Sequence, residues 1–283
     1  VTSMTMLSIN TNVGALKAAS ASYSVNKSME TSMQRLSTGK RINSSADDAA
    51  GHAIANRMTA EIMGLKQAIR NAADAQAFMG TAEGAIEEIQ TMLLRMRELA
   101  VQSANGTNSA TDRASIQLEA AQLEVEITRI SDNTTFAGQN ILDGSLSGGE
   151  TIATFQIGAD SGQTLALTIP GMAVSEATIG YVAALTLGTM TLAGSAITQL
   201  DAALSGVATV RADIASKMNR LDHTIANLDN VVTNLSQAKG RIVDADFAVE
   251  TANLARTQVL QQASMAMLSQ ANASKQNILA LFQ

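Results

Sequence analysis

Cysteine and tryptophan are absent from this 283-residue chain, proline occurs once, and aromatic residues make up 2% of it. Without cysteine there is no disulfide framework and no thiolate chemistry. A compact core of this size normally uses more large aromatic anchors. Their scarcity beside a hydrophobic content of 46% suits thin helical bundles, in which backbones approach closely and the 14 methionines fill irregular gaps. The single proline, Pro170, leaves room for very long uninterrupted helices. Charge is thin as well. The net value is −6 with no Lys/Arg-rich block, so nucleic-acid binding has no electrostatic footprint. No run of 18 or more apolar residues exists, so no membrane insertion is expected. The first ten residues lack a basic segment followed by an apolar core and do not read as a cleavable signal peptide.

What is present is helical periodicity, beginning at the ends. From Thr251 to Gln283 the only charges are Arg256 and Lys275, and neither Gly nor Pro interrupts the stretch. Apolar residues lie nearly all round it, where a surface helix would have one apolar stripe and a charged back. From Val1 to Gln34 the only charges are Lys17, Lys27 and Glu30. Two such helices pair with each other in an ordinary bundle, or they are buried against further copies of the chain.

Between them the pattern lengthens. A near-heptad stripe runs from Ser45 to Ala104, a helix of roughly 90 Å. Ser45 and Asp48 resemble a capping box at its start, and Gly64, Gly80 and Gly84 weaken it without stopping it. Asn105 to Ser109 reads as a turn with a C-capping glycine, followed by a shorter helix from Thr111 to Ser131. Residues 154–157 and 164–169 read as a β-hairpin, and 175–194 carries no clear assignment. A second long stripe begins near Ser195 and ends near Lys239 and Gly240, a basic last turn before glycine. The expected fold class is mainly α: a long antiparallel helical bundle or coiled coil with a small β-hairpin element.

Four motifs carry a resemblance. Ile9-Asn-Thr-Asn-Val-Gly-Ala-Leu16 and Leu36-Ser-Thr-Gly-Lys-Arg-Ile-Asn-Ser-Ser-Ala-Asp-Asp-Ala-Ala-Gly51 lie in the first quarter of the chain. Leu94-Arg-Met-Arg-Glu-Leu-Ala-Val-Gln-Ser-Ala-Asn-Gly-Thr-Asn108 and Arg241-Ile-Val-Asp-Ala-Asp-Phe-Ala-Val-Glu250 follow. In this order they resemble bacterial flagellin, over roughly residues 5–145 and 195–283. The middle departs from the family: about 50 residues stand where many flagellins carry large outer domains.

The resemblance implies a secreted, self-assembling structural molecule of the bacterial flagellum, a filament subunit for swimming motility. It implies an inner coiled-coil domain from 1–46 plus 243–283, a helical rod domain from 47–142 plus 195–242, and an exposed variable-looking segment at 143–194. Polymerisation contacts are then expected at Ile9, Val13, Leu16, Leu254, Val259, Leu260, Met267, Ile278, Leu281 and Phe282. The implied partners are further copies in a helical homopolymer, the flagellar export chaperone, and the cap and hook-junction proteins. The implied location is extracellular, reached without a cleavable signal peptide. A Toll-like innate receptor reads some flagellins through an Arg and a Leu four residues apart and a Glu on the next helix. Arg95, Leu99 and Glu119 match those three positions. The alternative within the same resemblance is the hook-filament junction protein.

A third class, a secreted helical enzyme, finds no site. His52 and His223 stand alone on helices, without the paired spacing of a zinc site. The segment 37–41 lacks the spacing of a phosphate loop. Asp47 and Asp48 suit a helix N-terminus better than a catalytic pair, and Asp143 and Asp160 suit turns. No catalytic residue, metal ligand or cofactor is expected.

Overall fold

The computed structural model describes residues 11–145, 152–174, 179, 182 and 185–280, with side chains through residue 273. Among these residues, five long helices and two small hairpins form in chain order. They are α1 (Val13–Thr38), α2 (Ala49–Ser103), α3 (Ala110–Asn133), β1 (Thr135–Phe136), β2 (Gln139–Asn140), β3 (Ile152–Gln156), β4 (Thr164–Thr168), α4 (Met190–Val243) and α5 (Phe247–Ala280).

The helix ends show which polar residues decide the boundaries. Asn12 caps α1 by accepting from Ala15 N at 3.0 Å, and Gly39 closes it in the left-handed conformation at φ 69°. The α2 start differs from the expected box. Asp48 alone is the cap, accepting from Gly51 N at 2.9 Å, while Ser45 stays outside the helix. Asp47 instead reaches back and accepts from Asn43 N and Ser44 N at 3.0 and 2.9 Å, which closes the turn that delivers the chain to the helix. These bonds, Ser44 foremost, hold the Asp47 carboxyl below its ordinary range. A methyl group at Gly51 would sit 2.5 Å from Asp48 Oδ2 and 2.7 Å from Ile42 Cδ1, so the capping carboxylate and the Ile42 tip would have to shift to admit it.

Two glycine readings are corrected. Gly106 is not left-handed, and side chains join backbone N–H groups in satisfying the last carbonyls of α2. Asn108 Nδ2 donates to Gln102 O at 2.7 Å and Arg113 Nε to Ser103 O at 2.8 Å. Ser109 and Asp112 then form a full capping box for α3. Gly240 does not end α4, which continues to Val243 and breaks only where Asp246 caps α5 through Ala248 N at 2.9 Å.

The chain clusters into two compact units, Val1–Ala60 with Asn234–Gln283, and Glu61–Thr233. In the terminal unit α1 and α5 run antiparallel, with Asn12 opposite Ala271, Asn26 opposite Gln261 and Ser32 opposite Glu250. The two helix breaks in this unit zip together. Arg41 N donates to Val243 O at 2.6 Å, Ala245 N to Gly39 O at 2.9 Å, and Arg41 Nη2 to Ile242 O at 2.8 Å.

The central unit is built on the antiparallel pair α2 and α4, as successive rungs show: Gln76 to Asp222 at 2.6 Å, Arg211 to Glu83 at 2.7 Å, and Arg97 to Asp201 at 2.6 Å. Its core takes Met79, Ile86, Ile89, Leu93 and Met96 from α2, Ile127 from α3, and Leu200, Val207 and Ile214 from α4. Three of the five phenylalanines meet there: the Phe78 ring lies edge-on to Phe136 at 5.6 Å and to Phe155 at 5.4 Å. The hairpin β1–β2 was not foreseen. It turns through Ala137 and Gly138, both at positive φ, and so brings Phe136 into that cluster.

The hairpin expected from the sequence is β3–β4, with Phe155 opposite Leu165 and Ala153 opposite Leu167. The reading of 143–194 as an exposed segment is corrected at its apolar positions. Leu165, Leu167, Ile169, Met172, Ile179, Val182 and Leu187 all join the core. The period of two in β4 sends alternate residues inward. The segment after it is pinned by side chains rather than by a sheet: Gln117 donates to Leu185 O at 2.9 Å and accepts from Leu187 N at 2.5 Å. Ser103 Oγ reaches Leu187 O at 2.6 Å from the buried side.

Candidate interaction surfaces

The terminal unit inverts the usual sorting of side chains. Facing its partner helix, α1 presents Ala15, Ala18, Ser22, Val25 and Asn26 at half-buried positions and Ser32 fully buried. Facing outward it presents Leu16, 61% exposed, and Tyr23, 74% exposed, with Val13 and Met33 also on the surface. Helix α5 does the same with Phe247, Val249, Val259, Leu260, Met265 and Met267. Val249 and Met267 are five full turns apart and so lie on one line, with Leu260 close to it. Phe247 and Met265 are also five turns apart, on nearly the opposite side. One helix thus shows apolar surface in two directions while a third side meets α1.

Small residues let the two backbones come close, and polar rungs set their register. Asn12 Nδ2 donates to Ala271 O at 3.1 Å, and Gln261 Nε2 to Asn26 Oδ1 at 2.8 Å. The strongest rung is ionic: Arg35 Nη1 donates to Glu250 Oε1 at 2.9 Å and Ser32 Oγ to Glu250 Oε2 at 3.0 Å. Burial pushes the Glu250 carboxyl up, but the Arg35 and Ser32 hydrogen bonds, the Arg35 charge and Asn253 together pull it below its ordinary range. Periodicity did not reveal this rung. Its only signal was an acidic residue at the head of an otherwise weakly charged helix.

Of the expected polymerisation residues, Val13, Leu16, Val259, Leu260 and Met267 are exposed, and Leu254 is half-buried against the pair. Ile9, Leu281 and Phe282 lie outside the described residues, as does the side chain of Ile278.

A second surface lies on α2 and α3. Arg95 Nε and Nη2 both reach Glu119 Oε1, at 2.9 and 2.8 Å, and Nη1 reaches Glu98 Oε2 at 2.5 Å. Those two carboxylates, Glu119 foremost, raise the Arg95 pKa. All three side chains remain well exposed. Leu99 does not join them. At 1% exposure it belongs to the core, which corrects its reading as a surface contact. The reason is the breadth of the buried stripe: α2 is covered on two sides, so Leu99 goes inside together with Met96 and Ala100. The apolar residues left on the surface near Arg95 and Glu119 in sequence are Leu94 and Leu118.

Among the described residues no group of His, Asp or Glu side chains is arranged to hold a metal ion, and no helix is long and apolar enough to cross a membrane.

Comparison with known proteins matches both ends of the chain. Residues 9–147 fit the model of the bacterial flagellin N-terminal helical region, and residues 197–282 that of the C-terminal helical region. The chain is 43% identical to the flagellin of Halalkalibacterium halodurans over 97% of its own length and 99% of that protein. It is 37% identical to flagellin FlaB2 of Treponema pallidum over the same shares of each chain. The crystal structure of Bacillus cereus flagellin matches with a TM-score of 0.50 at 35% identity, covering 60% of this chain and 94% of that one. A helical terminal pair that turns bulky apolar residues outward, on a chain aligned end to end with flagellins, leads to one conclusion: this protein belongs to the bacterial flagellin family, the subunits of the flagellar filament.

Proposed function

We propose that the terminal helix pair is the polymerisation element, and that neighbouring subunits in the filament bury Val13, Leu16, Val259, Leu260 and Met267. The supporting observation is that α5 carries apolar lines on two opposite sides while its remaining face is occupied by α1. A single added partner would cover one line; a helical array with several neighbours covers both. Head-to-tail contacts that do not close produce such arrays. In this reading residues 1–46 and 243–283 are the inner coiled coil, and 47–142 with 195–242 the rod outside it. Ile9, Ile278, Leu281 and Phe282 extend the same contact set. The role is mechanical, without catalysis.

The test is seeded assembly. Leu16→Asp and Val259→Asp should leave helix content unchanged and stop growth on sonicated filament seeds, followed by sedimentation and negative-stain microscopy. Normal filaments from either variant would overturn the assignment.

The partners beyond the filament follow from the same surface. An export chaperone would cover α5 before assembly, and the cap and hook-junction proteins would meet the same terminal pair. Export would then proceed through the flagellar apparatus. The Arg95–Glu119 face is proposed as the contact for a Toll-like innate receptor, with Leu94 and Leu118 in place of Leu99 as its apolar flank. Receptor activation by monomer should fall on Arg95→Ala and be indifferent to Leu99→Ile. The relatives matched are flagellins, so no observation favours the junction-protein alternative.

A further inference from the structure

With no cysteine and no tryptophan in the chain, its 14 thioethers are the side chains that a two-electron oxidant reaches first. The fold sorts them sharply. Met79, Met96 and Met172 are fully buried. Met33, Met63, Met190, Met265 and Met267 are 48%, 66%, 55%, 58% and 65% exposed. Met63 and Met190 belong to the central unit, but the other three sit on the terminal helix pair. Met267 lies on the apolar line with Val249 and Leu260, and Met265 on the opposite line with Phe247.

We propose that Met33, Met265 and Met267 are reversible oxidation sites, and that their conversion to sulfoxides by a peroxide holds the subunit out of the filament. The inference rests on the terminal pair being the polymerisation element. In the reaction the methionine sulfur attacks one peroxide oxygen. The S–O bond forms as the O–O bond breaks, and the departing hydroxide takes the remaining proton to leave as water. Sulfur is oxidised by two electrons and the peroxide is reduced by two, so no further reactant is needed. The product replaces a soft apolar group with a strong hydrogen-bond acceptor that has no donor of its own. On α5 this places acceptors on both apolar lines, where packing against an apolar surface would leave them without a donor. The same packing covers the thioethers, so oxidation acts on subunits before incorporation, and assembled filament is protected. A sulfoxide reductase reverses the change.

The experiment treats full-length subunit with limiting hydrogen peroxide, maps oxidation by peptide mass spectrometry, and measures seeded assembly by sedimentation. Met33, Met265 and Met267 should oxidise well ahead of Met79, Met96 and Met172, and assembly should fall about tenfold. Treatment with methionine sulfoxide reductases A and B should restore it. The triple variant Met33→Leu, Met265→Leu, Met267→Leu should assemble equally with and without peroxide. The proposal is overturned if the three are not oxidised ahead of the buried set, if oxidised wild type assembles normally, or if the triple variant loses assembly as wild type does. Failure of untreated subunit to assemble on seeds is a different result. It removes the polymerisation reading and the assembly effect with it, while the oxidation map still decides the site.

Discussion

The two units of this protein hide opposite kinds of residue. In the central unit the fully buried side chains are Met79, Ile86, Ile89, Leu93 and Met96 and their partners from α3, α4 and the hairpins. In the terminal unit, among the described residues, burial reaches only Ile42, Ala55 and Val243 of the apolar set, together with Ser32 and Glu250. Leu16, Tyr23, Val259 and Met267 face out. The central unit has an apolar core of its own, and each fully buried large side chain contributes about 1.5–3 kcal/mol toward offsetting chain entropy. The terminal unit has polar rungs to set a register and little area to hold it. A segment built that way leaves apolar surface for the proposed filament contacts to bury.

The largest expected effect tests the first half of that contrast. Ile89→Ala should cost about 3–4 kcal/mol in urea unfolding, by lost transfer energy and a residual cavity. A loss below about 1 kcal/mol would mean that the central core is loosely packed. Next comes the ionic rung. Glu250→Ala leaves Arg35 partly buried without its partner and should destabilise the terminal pair by about 2–3 kcal/mol, less than a fully buried pair because Arg35 keeps some access to water. Hydrogen exchange in α1 would report this without a change in the central unit.

The same rung makes a pH prediction. The folded Glu250 carboxyl titrates below its unfolded value of about 4.3. Its contribution is therefore complete above that value and is lost as pH falls through the depressed folded pKa. Amide exchange in α1 should accelerate over that acidic window, and Glu250→Gln should remove the inflection. A smaller effect is expected on the exposed face of the central unit. Arg95→Ala should leave the urea unfolding midpoint nearly unchanged, because the ion pairs with Glu98 and Glu119 are well exposed to solvent. The smallest stability change, within about 0.5 kcal/mol, is expected for Leu16→Asp, whose side chain touches mainly water in the lone subunit. If that substitution unfolds α1 in the monomer, the terminal pair is more self-sufficient than its burial pattern says.

Much of the architecture could be read before the structure. Strict three-and-four spacing over dozens of residues located all five helices, because each turn repeats the same apolar choice. The β3–β4 hairpin followed from alternation between Gly-containing turns. The four flagellin-like motifs all fall within the spans that match the flagellin N- and C-terminal helical regions. Details that depend on a neighbour were misread. Gly106 and Gly240 looked like helix stops, yet Asn108 and Arg113 satisfy the end of α2, and α4 passes through its glycine. Leu99 was expected beside Arg95 on the surface because the flagellin resemblance matched both to receptor-contact positions one turn apart. Whether such a residue points inward depends on how many elements cover the helix.

The sequence by itself determined the periods: which stretches are helical, that both ends are nearly free of charge, and that thiol chemistry is absent. Periodicity is local, so it survives without knowledge of partners. Only the tertiary structure decided what each face meets. It put Glu250 against Arg35 across 215 positions of chain, gathered Phe78, Phe136 and Phe155 into one cluster, and drew Ile169 and Leu187 from a Ser/Thr/Gly-rich segment into the core. Burial is a property of two surfaces together, and a linear pattern specifies only one of them.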